Sequence, residues 1–323
     1  MDPLTHLLDG PRARGAFTLR VVMAAPWSID MRDGSALGLG VVTSGRVWVR
    51  TRDEEEALDP GDVLLTRGPD PYVLSDEPGR APTITVHPGQ RCVADDGQEL
   101  HVSLSHGVGT WGNDPEGGHS MIIGAYEDDS EVGRLALSAL PPLAVLRAGS
   151  VDPALIGLLT QEVTTAGVAR ASLNDRLLDC LLVMAVRAWL AEHPRREPSW
   201  LSARGDDVVA RALELVHESP EQPWTLASLA RACAVSRSTL ADRFQRAVGT
   251  PPMAYLRTWR LTTACDLLTA RPELGLEAVA GRVGYGSAFA FSSAFKAHTG
   301  VNPSEYRRNA HKPARPGVEV PAG

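Results

Sequence analysis

The chain has few cysteines, no H-x-H and no long apolar run, and each shortage removes a class of protein. Its four cysteines, Cys92, Cys180, Cys233 and Cys265, are widely spaced and form no C-x-x-C pair. That excludes a disulfide framework and a zinc finger, and leaves all four as thiols. No H-x-H occurs anywhere. No stretch of about 18 apolar residues is present, and the opening residues lack the apolar segment of a secretory signal, so neither a membrane span nor export is expected. The cytoplasm is then the default compartment. A length of 323 residues, 43% of them apolar and 22% charged, suits a globular chain of two domains, each with its own core.

What the sequence does have is one pattern written twice. Leu226, Leu229 and Ala230 lie on one helical face, followed by the small residue Ala234 and a second amphipathic helix through Leu240 and Phe244. Leu276, Val279 and Ala280 repeat the first three 50 positions later, Gly284 stands in the turn, and Phe291 and Phe295 carry the next helix. The spacing then becomes 51. Phe244, Gly249, Pro252 and Tyr255 recur as Phe295, Gly300, Pro303 and Tyr306, a shared F-x4-G-x2-P-x2-Y tail. Two helices joined by a tight turn make a helix-turn-helix. Ala230 and Ala280 are small enough to let helix backbones cross closely, and Ser236 and Ser287 stand where a hydroxyl would cap the second helix. Gly284 can take the positive φ of a sharp turn. Ala234 cannot do so cheaply, so the first turn is expected to differ from the second.

The words LASLARACAVSRSTLADRF, VGTPPMAYLRTWRLTTACDLL and EAVAGRVGYGSAFAFSSAFKAHTGVNPSEYRR make residues 206–308 resemble the DNA-binding domain of the AraC/XylS family of transcription regulators. The resemblance covers about a third of the chain. It implies two helix-turn-helix units joined by one long helix, here 253–269, with Leu256, Trp259, Leu261, Ala264 and Leu268 on its apolar face. At about 1.5 Å per residue that helix is a rod of about 26 Å. Such a rod can hold two recognition helices about one DNA turn, roughly 34 Å, apart. The residues placed to meet DNA are Ser236, Arg237, Ser238, Ala241, Asp242, Arg243 and Arg246 in the first copy. In the second they are Ser287, Ala288, Phe289, Ser292, Ser293 and Lys296. The family usually carries a basic residue where Asp242 and Ser293 stand here, so two groove-reading cations are missing. An aspartate cannot pair with a guanine edge but can accept from cytosine N4. Asp242 is therefore either a base-preference residue or the partner of a nearby arginine, and Arg237 is left as the main direct contact.

Net charge is −7, an odd balance for a ligand of a polyanion. From Gly205 onward, however, the chain holds 14 Lys and Arg against 11 Asp and Glu, out of totals of 32 and 39, so the remainder holds 18 against 28. The positive balance sits where the duplicated unit sits. It is modest, and strong binding would need dimerisation or close base contacts.

Residues 16–128 read as β structure. Short apolar runs at 18–23, 37–43, 46–50, 63–66, 83–86, 101–104 and 121–126 are separated by turn formers. Many short strands suggest a sandwich or barrel. The words VVTSGRVWVR and LDPGDVLLTRGPDPYVLSD resemble the cupin-type sensor domain that many AraC-family regulators carry. Enzymatic cupins hold a redox metal through an H-x-H, a following Glu and a further His; here Tyr72 stands where that last His would be, so metal-dependent chemistry is not expected. No cofactor and no catalytic residue is assigned. His87, Cys92, His101, His106 and His119 would suit zinc or a copper-like ion, but their irregular spacing points to ordinary loop histidines. Trp27, Trp48 and Trp111 either wall a barrel mouth or fill the core; with Arg67, Tyr72, His87 and Cys92 they make the candidate ligand site.

Asp152 and Pro153 open a helix, and a second begins at Ser172, apolar at Leu173, Leu177, Leu181 and Met184 and broadened by Leu178, Leu182, Ala185 and Trp189. A helix so widely apolar must cover the barrel, a partner subunit, or both. The resemblance implies dimerisation, with Leu177 and Leu181 on the seam. Residues 194–205 read as a hinge. The expected fold class is α+β, with a cupin-like sensor barrel over 1–150 and a helical dimerisation region and linker over 151–204. An all-α double helix-turn-helix domain follows over 205–310, then a disordered tail over 311–323. The expected function is a regulator that binds promoter DNA as a homodimer and senses a small molecule or a redox signal, with RNA polymerase as a partner if it activates. The alternative is a cupin-type enzyme with an appended DNA-binding module.

Overall fold

The computed structural model describes residues 17–100, 103–107, 109–126, 137, 140–193 and 205–310. They fall into two compact units, one holding the described residues up to 193 and the other those from 205. The hinge expected at 194–205, apart from Gly205, and the tail expected from 311 lie outside the described residues.

The first unit is built on β1 (Phe17–Met23), β2 (Ser28–Met31), β3 (Leu37–Ser44), β4 (Val47–Arg50), β5 (Glu55–Leu58) and β6 (Val63–Arg67). It continues through β7 (Tyr72–Ser75), β8 (Ile84–His87), β9 (Arg91–Ala94), β10 (Thr110–Trp111), β11 (His119–Tyr126) and β12 (Leu143–Leu146). One sheet runs β10-β1-β11-β3-β6-β12 and the other β5-β4-β7-β2-β8-β9. Their facing sides share a core that includes Trp27, Ile29, Val49, Leu74 and Met121.

The two sheets bury their residues differently. β3 is buried at six successive positions, Leu37 through Val42, because its sheet is covered on both faces. The outer cover is α1 (Pro153–Thr164) and α2 (Arg170–Glu192), which pack on β1, α2 also on β12. Gly124 permits the close approach: a Cβ there would lie 2.5 Å from the Leu178 side chain. β4 instead alternates, with Val47 and Val49 buried and Trp48 and Arg50 half-buried, as a strand with one solvated face does.

Several expectations change here. The strand expected at 101–104 is absent from its described part: Ser103 and Leu104 lie in a turn, and Ser105 makes an isolated bridge to Trp111. β2, β5, β7, β9 and β12 are not among the runs read from the sequence; each is four residues long, as are β4 and β8, which are among them, so a strand this short is only sometimes legible. α1 is capped as expected, Asp152 accepting from the Ala154 N–H at 2.9 Å. α2 begins two residues before Ser172, after Ala169 at φ 58. Arg170 Nη2 donates to the Val163 carbonyl at 3.2 Å and ties the start of α2 to the end of α1.

The second unit contains α3 (Asp207–Glu218), α4 (Leu226–Ala232), α5 (Arg237–Val248), α6 (Pro252–Ala270), α7 (Leu276–Arg282), α8 (Ala288–Thr299) and α9 (Pro303–Ala310). The repeat of the sequence is a repeat of geometry. Ser236 accepts from the Thr239 N–H at 3.1 Å and Ser287 from the Ala290 N–H at 3.2 Å, so both serines cap their helices. Gly249 and Gly300 end those helices at φ 85 and 82, the left-handed close that glycine favours. Pro252 and Pro303 start the helices that follow, where a missing N–H costs nothing. The tail closes with an edge-on ring pair in each copy, Phe244 with Tyr255 at 5.7 Å and Phe295 with Tyr306 at 5.4 Å.

The first turn does not differ from the second as expected. Ala234 stands at φ 56 and Gly284 at φ 79. Val235 N–H donates to the Ala230 carbonyl at 3.0 Å, and Tyr285 N–H to the Ala280 carbonyl at 2.8 Å. The closing hydrogen bond demands a left-handed residue, and alanine supplies it at a cost of about 1–2 kcal/mol. The extra residue of the second copy lies after the turn.

α6 joins the copies. Its 19 residues span about 28 Å, and Tyr255, Leu256, Trp259, Leu261, Ala264 and Leu268 are buried along it. Arg260 Nε and Nη2 donate to the Pro220 and Gln222 carbonyls, each at 2.6 Å. α6 is thereby fastened to the segment that enters α4.

Candidate nucleic-acid interface and barrel cavity

On α5 the side chains of Arg237, Ser238, Asp242 and Arg246 are exposed and Ala241 is half-buried. Arg237 and the Asp242 carboxylate form no ion pair among the described residues, so the pairing weighed for Asp242 is not seen. Arg246 Nε donates instead to the Asp242 carbonyl at 3.2 Å. Arg243 is a different case. Its Nε lies 2.7 Å from Asp206 Oδ2, and the same carboxylate caps α3 through the Val208 and Val209 N–H groups. Burial acts to raise the pKa of Asp206, but the Arg243 and backbone hydrogen bonds outweigh it and hold the carboxyl below its usual value. Arg243 is thus committed inside the unit, and the spacing that placed it on the DNA face could not reveal a partner 37 residues away.

On α8 the cap Ser287 and the residues Ala288 and Ser292 are half-buried, while Phe289, Ser293 and Lys296 are exposed. Their i, i+4, i+7 spacing puts the last three on one face. The first turn is pinned by the Ala288 N–H, which donates to Glu277 Oε2 at 3.0 Å. Phe289 is 84% exposed. Arg260 escaped the sequence reading entirely, since its role arises from contacts with residues about 40 positions away.

The barrel unit holds a cavity of about 410 Å³, walled by Leu19, Met31, Val86, Ile123 and Trp111 and closed on one side by Arg170, Asn174 and Asp175 of α2. Of the candidate ligand residues, Tyr72, Cys92 and Trp111 line it. Trp27, Trp48, Arg67 and His87 do not. Trp27 is packed in the core edge-on to His119, ring centroids 5.7 Å apart, Trp48 is on the outward face of β4, and Arg67 and His87, the last residues of β6 and β8, are not among the lining residues. Burial pushes the Tyr72 hydroxyl up to about 12. It also raises the Cys92 thiol, which favours the protonated form over the reactive thiolate. Burial raises the Asp175 carboxyl as well. Asn174 is buried with its Oδ1 unpaired, and the Trp111 Nε1 and Thr18 Oγ1 atoms are unpaired too. The sequence carried one signal for this closing wall, the polar Asn174 and Asp175 set within an otherwise wide apolar stripe.

Among the described residues no three of His, Cys, Asp and Glu come together as a metal site. His106 Nε2 lies 2.8 Å from the Gly112 carbonyl, and His101 is outside the described residues. No described helix is long and apolar enough to cross a membrane.

A hollow β-barrel carried on the same chain as a pair of helix-turn-helix units is the build of a DNA-binding transcription regulator. Residues 2–191 match the family model described as Cupin, and residues 229–309 the one described as Helix-turn-helix domain. The chain is 32% identical over 320 residues to a protein of Streptomyces antibioticus named as an AraC-like transcription regulator, covering 96% of this chain and 99% of that one. A protein of the same name from Streptomyces lividans is 30% identical over 320 residues, covering 97% and 100%. The HTH-type transcriptional regulator AlkR of Acinetobacter baylyi is 29% identical over 318 residues, covering 96% and 100%. This chain belongs to the AraC-like transcription regulators, with a cupin domain ahead of its helix-turn-helix domain.

Proposed function

We propose that this regulator binds promoter DNA as a homodimer and is controlled by a small molecule held in the barrel cavity, without catalysis. The observation that carries the reading is the cavity wall: α2 closes the cavity with Arg170, Asn174 and Asp175 and on its outer side presents Leu173 and Met184, 44% and 36% exposed. One helix thus touches both the cavity and a free apolar surface, and a molecule that orders its first turn would act on that surface. An apolar lining with a few hydrogen-bonding groups suits holding a molecule more than transforming it. A buried, protonated Cys92 favours a bound effector over a redox signal. Promoter DNA is the partner of both recognition helices, with Arg237 as main base contact, and RNA polymerase becomes a partner where the bound site lies beside a promoter it activates.

The test begins with small molecules extracted from purified protein and identified by mass spectrometry. Titrated back at about 100 times its Kd, the effector should stabilise the barrel unit by about 2.7 kcal/mol. Ala125→Phe, which places a ring in the cavity that Ala125 lines, should abolish the shift and leave DNA binding intact. A shift that survives in the variant would move the effector site elsewhere.

The proposed dimer surface also moves. Leu177 and Leu181, expected on the seam, are buried within their own unit, Leu181 fully. A wide apolar stripe could not tell a chain's own barrel from a partner's. Leu173 and Met184, with Leu158 of α1 at 45% exposure, remain for a second copy. Leu173→Asp with Met184→Asp should give folded monomers in light scattering, whereas Leu181→Asp should unfold the unit. A wild-type monomer at micromolar concentration would dispose of the dimer.

A further inference from the structure

We infer that Phe289 reads the C5-methyl group of a thymine in the major groove, so that the two recognition helices recognise half-sites of different chemistry. The inference rests on α8 entering the groove, as the second helix of its helix-turn-helix. Phe289 is the second residue of α8, in the first turn, where recognition helices meet base edges. It is 84% exposed, while Phe291 and Phe295 of the same helix are fully buried. A phenyl ring left in water forgoes the favourable burial of its apolar surface, which a surface that meets a partner recovers. Its setting is fixed rather than loose. Ser287 caps the helix through the Ala290 N–H, and Glu277 Oε2 holds the Ala288 N–H at 3.0 Å.

The neighbours decide the partner. Beside Phe289 on the exposed face stand Ser293 and then Lys296, a turn farther from the helix start. No guanidinium lies in the first two turns of α8, so this end of the helix lacks the fork that grips guanine O6 and N7. An apolar ring meets favourably only one feature of the major-groove floor of unmodified DNA, the thymine methyl. The corresponding residue of α5, Ser238, is polar and stands next to Arg237. α5 offers a donor fork for guanine and, at Asp242, an acceptor for cytosine N4. One half-site should therefore contain a G·C pair and the other a thymine contacted through its methyl alone.

The test uses full-length protein and the duplex it selects from a randomised library. Each thymine of the α8 half-site is replaced in turn by deoxyuridine, which removes the methyl and keeps the pairing. For wild type one such replacement should weaken binding about fourfold, the value of about one buried methyl, and Phe289→Ala should bind both duplexes alike. Because Phe289 is exposed, the variant should keep the wild-type melting temperature, and Phe289→Leu should restore part of the discrimination. Wild type indifferent to every replacement overturns the proposal, as does a Phe289→Ala protein that still loses fourfold. If footprinting shows only the α5 half-site protected, the entry of α8 into the groove has failed instead.

Discussion

Replacing Gly284 with alanine should lower the stability of the helical unit by about 3 kcal/mol, and the reason is local and double. Gly284 stands at φ 79, where a side chain costs about 1–2 kcal/mol. A Cβ there would also lie 2.6 Å from Arg260 Nη2 and 2.8 Å from the Pro220 carbonyl oxygen. The new methyl must displace the guanidinium that fastens α6 to Pro220 and Gln222, and hydrogen bonds to a charged group contribute about 1.5–3 kcal/mol. For a unit of this size the melting temperature should fall by about 10–20 °C. Ala234→Gly at the matching turn should do the opposite. It relieves the left-handed strain, loses about 0.4–1 kcal/mol to the looser unfolded chain, and should leave the unit unchanged or up to about 1 kcal/mol more stable. Thermal unfolding followed by circular dichroism reads both. Equal losses in the two variants would mean that the turns are not equivalent.

Arg237→Ala should cost about 1–3 kcal/mol of binding to the selected site, roughly 5- to 150-fold, with much less loss on unrelated duplex. Arg237 is exposed and forms no ion pair among the described residues, so its removal leaves the fold in place and takes away a donor fork. Arg243→Ala provides the contrast. It strips Asp206 of its partner at 2.7 Å, so the unit should melt earlier while the selected sequence stays the same. Asp242→Ala should relax one base position and raise non-specific affinity, because a repulsive charge has gone. Gel-shift titrations against selected and scrambled duplexes separate the three. An Arg237→Ala protein as selective as wild type would remove this residue from base reading.

The difference between Arg237 and Arg243 shows where the sequence was legible and where it was not. The duplicated unit could be read from spacing because each copy solves one local problem: a left-handed turn, a serine cap, a glycine close and a Phe–Tyr pair, all within 22 residues (234–255) in the first copy and 23 (284–306) in the second. Contacts of long range left no such trace. Nothing near Arg243 announces Asp206, and nothing near Arg260 announces Pro220. The left-handed Ala234 was missed because propensity argues against it, and a closing hydrogen bond overrode the propensity. In the barrel, strands with one solvated face alternate visibly, as β4 does. β3 reads as one apolar run, and five of the four-residue strands, β2, β5, β7, β9 and β12, left no legible pattern. Three of the seven residues chosen for the ligand site line the cavity, since aromatic type does not say which side of a strand faces inward. That α2 covers the barrel was one of the alternatives its wide apolar stripe left open, but helix periodicity does not say that Arg170, Asn174 and Asp175 face a cavity.

Selection of bound duplexes by full-length protein, followed by footprinting of the best sequence, tests the central claim most directly. Each monomer should protect two major-groove segments on one face of the DNA, about 10 base pairs apart, and affinity should fall steeply as salt is raised. Folded protein that enriches no sequence at low salt, or that protects a single groove segment, would contradict the reading of the duplicated unit as a two-part DNA reader.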